Sequence, residues 1–175
     1  MNIRKLFAIA AALLSAVLAV TVTGPVAAQS LEAEMREAAG AYERKDMATA
    51  ARIWKVWADK GNAEARTLLG AMYWSGEGVP RNHAEAARLY LLAANQGYAR
   101  AQNDIGFMYG FGESTPPRND VEAYKWLTLA IAGYTSRNQD RLDQAKKDLA
   151  TLAARMTKAQ IADAEAHAKA FKPVR

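Results

Sequence analysis

The chain has 175 residues, about half of them apolar, a formal net charge of +5 and no cysteine. That length suits one domain with its own core, and the missing cysteines exclude disulfide staples and any thiolate metal or redox site. Charge is too evenly spread for nucleic-acid binding: residues 29–133 carry 12 basic and 13 acidic side chains, and only 134–175, with 9 and 5, lean basic.

Residues 1–28 read as a secretory signal peptide. Arg4 and Lys5 supply a positive start, Leu6 to Val22 an apolar run, and Val26-Ala27-Ala28 a small-residue cleavage site, making Gln29 the expected mature terminus. An uncleaved membrane anchor is the alternative, against which the cleavage site just past Gly24-Pro25 argues. No second apolar run of spanning length follows, so no stable membrane span is expected after cleavage. The mature protein is expected in the periplasm.

From there on helical spacing dominates and no alternating strand pattern survives. Leu31, Met35, Ala38, Ala39 and Tyr42 predict a first helix over 31–44. Asp46 is placed to cap a second helix carrying Ala50, Ile53, Trp54, Trp57 and Ala58, which Gly61 closes. The following stretch, Ala65-Arg66-Thr67-Leu68-Leu69-Gly70-Ala71-Met72-Tyr73-Trp74-Ser75-Gly76, returns 36 residues later as Ala101 to Gly112. Ala, Leu or Ile, Gly, Met, Tyr and Gly recur at identical offsets, the mark of a stacked repeat whose units bury their apolar faces against each other.

The second helix of each unit repeats as well. Asn82 and Asn119 stand three residues before Glu85 and Glu122, a capping-box spacing in which Asn accepts from the third helical N–H and Glu reaches back. Ala86, Tyr90 and Ala94 are followed in the next unit by Ala123, Trp126 and Ala130, and Gly97 and Gly133 are suited to the left-handed turn that ends a helix. Gly70 and Gly106 lie inside helices, where glycine costs roughly 0.5–1 kcal/mol relative to Ala. The spacing predicts a close helix crossing there.

Past Tyr134 the period is lost. Leu142, Ala145, Leu149, Leu152 and Met156 predict one more helix, and Thr157 to Gln160 forms a capping box opening a last one with Ile161, Ala164, Ala168 and Phe171 on one side. The expected organisation is repeats at about 29–61, 62–97 and 98–133, with 134–175 as a C-terminal capping helix pair. The fold class is all-α, an α-solenoid of antiparallel helix hairpins.

Motifs with chemical overtones give way to the repeat. Gly106, Gly110 and Gly112 do not follow a strand, so they are not a phosphate loop. Trp74-Ser75-Gly76 lacks the glycine of a nucleophile elbow, and His83 and His167 lack ligand-like spacing. Glu77 and Glu113 fall at equivalent loop positions, so the repeat explains that carboxylate pair. Trp54, Tyr73, Tyr90, Tyr109 and Trp126 recur in register as core. No catalytic residue, metal or cofactor is expected.

These residues resemble the Sel1-like repeat family, a relative of the tetratricopeptide repeats. Ala65, Leu69, Gly70, Tyr73, Gly76, Gly78, Val79, Asn82, Ala86, Ala94, Gln96 and Gly97 match one repeat. Ala101, Ile105, Gly106, Tyr109, Gly112, Asn119, Ala123, Trp126, Ala130 and Gly133 match a second, with Ser114 replacing a loop glycine. Residues 38–65 look like a shorter unit. The resemblance implies that the first helix of each repeat lines a concave side, placing Glu64, Thr67, Leu68, Ala71 and Trp74 there from one unit and Arg100, Asn103, Asp104, Phe107 and Phe111 from the next. Trp74, Phe107 and Phe111 would then serve as apolar anchors, and Arg100 and Asn103 would hold a peptide carboxylate or backbone. The other reading of these aromatics is that they pack against the C-terminal helices.

What the resemblance implies about function is a monomeric periplasmic module binding a protein or peptide in its groove, an adaptor or regulator of envelope signalling or assembly. The alternative is a cell-wall or β-lactam-binding hydrolase-like member. Those members carry a cysteine pair in each repeat, and this chain has none.

Overall fold

The computed structural model describes residues 25–112 and 116–174. The signal-peptide reading for residues 1–24 and loop position Glu113 lie outside the described residues. The chain divides into two units, 1–32 and 33–175. Of the first, only the opening of helix 25–43 is described, and the packing and site below concern the second.

Helices α1 (Pro25–Glu43), α2 (Met47–Asp59), α3 (Ala63–Ser75), α4 (His83–Asn95), α5 (Ala99–Phe111) and α6 (Asp120–Gly133) follow each other through short turns. A 3-10 turn (Ser136–Asn138) leads to α7 (Gln139–Ala153) and α8 (Lys158–Ala170). The described residues contain no strand, and consecutive helices from α2 to α7 pack against each other, so the fold is an all-α solenoid. The first helix begins earlier than Leu31, at Pro25, and runs through the expected cleavage site.

Local chemistry sets the helix boundaries. Asp46, Asn62, Asn82 and Asn119 each accept from the backbone N–H three residues on, at 2.8–3.1 Å. The reciprocal half of the capping boxes at Asn82 and Asn119 is missing. Glu85 turns instead to Arg88 (2.6 Å) and Glu122 to Lys125 (2.7 Å), one helical turn along, where an ion pair competes with the backbone N–H. Among the described residues, Thr157 and Gln160 exchange both bonds. Gly76 ends α3 at φ 79° and Gly97 stands at φ 84°, as expected for glycine in a left-handed turn. Gly133 does not share that role: it closes α6 and the chain leaves extended at Tyr134. A Cβ on Gly133 would stand 2.9 Å from Ala99 Cβ, so closeness to α5 excludes a side chain there.

Packing follows the repeat. Ala65, Leu69 and Met72 of α3 join Ala50, Ile53 and Trp54 of α2 in one cluster. Their counterparts Ala101, Ile105 and Met108 join Ala86, Tyr90 and Ala94 in the next. A third holds Ala123, Leu127, Ala145 and Leu152, joining α6 to α7. Gly106 meets the neighbouring helix backbone as expected, since a Cβ there would stand 3.2 Å from Leu127 N and 3.3 Å from Ala123 O. At Gly70 a side chain makes the contact: the Tyr90 ring, 2.9 Å from the same notional Cβ.

Beyond the repeats α6 is flanked twice. It packs against α7 and also against α8. The end of α8 returns toward the repeats, where Phe171 meets Trp126 edge-on at 5.5 Å and Val174 N donates to Asn95 O at 2.9 Å.

Candidate functional site

Helices α1, α3 and α5 share a face with two hollows in it. The first, about 280 Å3, is lined by Ala39, Tyr42 and Glu43 of α1, Glu64, Leu68 and Ala71 of α3, and Arg100 of α5, with Trp54 and Met72 among its walls. The second, about 160 Å3, is lined by Trp74, Tyr90, Asn103, Asp104, Phe107 and Met108. Their positions correspond through the repeat of 36 residues: Trp54 with Tyr90, Leu68 with Asp104, Ala71 with Phe107, Met72 with Met108. The hollows are thus one architectural position used twice with different chemistry. The first combines the apolar Leu68, Ala71, Trp54 and Met72 with Glu43, Glu64 and Arg100, whereas the second has Asp104 and Asn103 beside Trp74, Tyr90 and Phe107.

The residues expected from sequence divide accordingly. Trp74, Asn103, Asp104 and Phe107 come together in the second hollow, and Glu64 and Arg100 in the first. Phe107 is 40% exposed and stacks on Phe111 at 5.4 Å. Phe111 is half-buried, packed against the cluster of Ala123, Leu127, Ala145 and Leu152 and covered by the Arg155 guanidinium at 5.2 Å. It therefore meets the C-terminal helices, as the competing reading of these aromatics had it. Trp74 stacks on His83 at 4.4 Å. Thr67 is misplaced by sequence reasoning. It is fully buried, with its hydroxyl donating to Ala63 O at 2.7 Å, so no partner reaches it. A Thr hydroxyl satisfied within its own helix packs like a small apolar side chain.

Electrostatically the face is mixed. Arg100 Nε stands 4.0 Å from Asp104 Oδ2, beyond hydrogen-bond length, and has no hydrogen-bond partner among the protein atoms. The buried Asn103 Oδ1 has none either. Burial pushes the Asp104 carboxyl above its usual range, and Arg100, Arg141 and Asn103 only partly offset that. Tyr42 donates to Glu77 Oε2 at 2.6 Å, which raises its phenol pKa and ties the α3–α4 loop to α1. Burial likewise raises Tyr90.

Sequence reasoning missed Trp54 and Tyr90 as site residues because both are core, 2% and 4% exposed. The repeat alignment was the available signal, since it pairs each with the variable positions above it. Among the described residues no group of three His, Asp or Glu is placed to hold a metal ion, and no helix is long and apolar enough to cross a membrane.

Comparison with known proteins bears on the same elements. The Sel1 repeat model matches residues 63–98 and 99–133, the α3–α4 and α5–α6 hairpins with their turns. No curated protein matches. The fold is similar to the crystal structure of c5321, a protective antigen of uropathogenic Escherichia coli with an SLR fold, at TM-score 0.69 and 22% identity, covering 81% of this chain and 29% of that one. A Sel1 repeat protein from Oxalobacter formigenes aligns at TM-score 0.50 and 27% identity, over 68% of this chain and 54% of that chain. The chain thus spans well under two thirds of either solved relative.

Proposed function

We propose, on the premise that the chain is built on two Sel1 repeats, that the face shared by α1, α3 and α5 is a groove that docks a protein or peptide partner. Sel1 repeats generally mediate protein–protein contacts and are typically non-catalytic scaffolds. The observation that carries the reading is the pair of in-register hollows, with Phe107 exposed at the second. Large aromatic side chains beside a pocket supply most of the binding energy in such interfaces. In this reading the protein is an exported, monomeric adaptor or regulator in the periplasm.

A photo-crosslinking amino acid at position 107, introduced in the full chain, tests the docking face. A discrete cross-linked partner in the periplasmic fraction supports the reading, and its absence at position 107 together with labelling at Arg118 on the α5–α6 connection overturns it. Sequencing the mature N-terminus tests export, with Gln29 expected first. Turnover of nitrocefin or muropeptides by the purified protein would overturn the scaffold assignment.

A further inference from the structure

We infer that the second hollow accepts a lysine side chain of an extended peptide, while the first takes an apolar one; this rests on the docking reading above. Leu68 and Ala71 in the first hollow become Asp104 and Phe107 in the second, so an apolar wall is replaced by a carboxylate and a ring. An acid in a half-enclosed hollow is costly unless something offsets its desolvation.

The protein offsets it incompletely. Arg100 is at 4.0 Å rather than within hydrogen-bond distance, and it also lines the first hollow beside Glu43 and Glu64. Arg141 and a hydrogen bond from Asn103 also favour the charged form, without cancelling the effect of burial. Of the side chains lining the hollow, Asn103 carries a buried acceptor, Oδ1, without a partner. The Asp104 carboxylate and the unpartnered Asn103 Oδ1 are both acceptors, and an ammonium, which carries three donors and no acceptor, is complementary to that pair.

The rings fit the same ligand. Trp74 and Phe107 both line the hollow, and a Lys ammonium within about 6 Å of an aromatic face is attracted by its quadrupole. The volume of about 160 Å3 has room for a slender side chain such as lysine. Guanidinium is larger and planar. The hollows belong to neighbouring repeats, and packed helices sit about 8–10 Å apart. At about 3.3 Å per residue of extended chain, the apolar residue and the lysine stand about three positions apart.

The test selects peptides from a random phage-displayed library on the full chain. Selected peptides should carry lysine at one position with an apolar residue about three away, and Lys→norleucine in the peptide should weaken binding about tenfold. Asp104→Asn in the protein should abolish that lysine preference and leave the apolar one. Peptides that lose binding on Ala71→Arg, yet have no lysine position or tolerate norleucine, overturn the lysine assignment while the docking face stands. Selected peptides insensitive to both Ala71→Arg and Asp104→Asn overturn both. Should Asp104→Asn fail to fold, NMR titration of the wild type with N-acetyl-lysine methylamide gives an independent result. Shifts at the Trp74 indole and at the 103–108 amides, absent with the norleucine analogue, support the site, and equal or no shifts overturn it.

Discussion

Arg155 holds Asp120 with two parallel bonds, Nε to Oδ2 at 2.9 Å and Nη2 to Oδ1 at 2.8 Å. The same Nη2 donates to Gly110 O at 2.6 Å, so one guanidinium ties the end of α5, the start of α6 and the α7–α8 turn. Bidentate pairs of this kind exceed the usual surface ion pair. The Arg155 bonds, helped by Arg118, hold the Asp120 carboxyl below its usual range, and its place in the first turn of α6 adds the helix dipole.

A pH dependence follows. A carboxyl whose pKa is lowered on folding contributes stability that is fully present above its unfolded value of about 3.9 and is lost as pH falls through the folded value. Asp120→Asn should therefore cost about 1 kcal/mol at neutral pH, since both partners are partly exposed. The difference from wild type should close as pH falls below about 4. Urea midpoints at pH 7 and pH 3 check this, and a gap that widens at acid pH would count against it.

Gly70 and Gly106 predict a second pair of outcomes with different causes. At Gly106 the obstacles are the Leu127 side chain and the backbone of α6 beside it, whereas at Gly70 it is the Tyr90 ring, itself 4% exposed and held in the core. Ala at either position overpacks a tight contact, costing about 1–3 kcal/mol, and Gly70→Leu should cost more. Adding Tyr90→Leu should recover part of the loss at Gly70 and none at Gly106. Thermal midpoints of the two double variants decide it.

Why the fold was legible and the face only partly so has a physical basis. Repeated apolar positions such as Leu69/Ile105 and Met72/Met108 are fixed by the requirement to bury against a neighbour, and that requirement shows as a period. Caps were legible where a single Asn or Asp oxygen meets one N–H. They were overstated where Glu85 and Glu122 chose between that N–H and a cation one turn away. Thr67 and Asn103 are equivalent in sequence register, yet only Asn103 lines a hollow, because a short hydroxyl can satisfy itself on its own helix. The hollows are made by pairs of repeats, so no single repeat announces them.

Phe171 supplies a third prediction. It sits edge-on to Trp126, which is 3% exposed, at the end of the helix that covers α6. Phe171→Ala should remove that cover, cost about 2 kcal/mol given its partial burial, and shift tryptophan emission to longer wavelength as Trp126 gains water. An unchanged spectrum would mean that α8 is held by Ala164 and Ala168 alone.

The last prediction separates the aromatic rings of the docking face. Phe107 is 40% exposed and its loss leaves little cavity, so Phe107→Ala should keep the melting temperature within a few degrees. If it anchors a partner, the same change should cost about 2–4 kcal/mol of binding, as truncation of a central aromatic does. Phe111 behaves differently because its ring lies under Arg155 and packs against the cluster of Ala123, Leu127, Ala145 and Leu152; Phe111→Ala should lower stability first. Arg118→Ala removes only an exposed contact to Asp120 and should leave both quantities nearly unchanged. Thermal melts and partner capture measured on the three variants distinguish the outcomes. Loss of stability in Phe107→Ala would assign that ring to the core and move the docking surface toward the first hollow, where Tyr42, Leu68 and Ala71 would carry it.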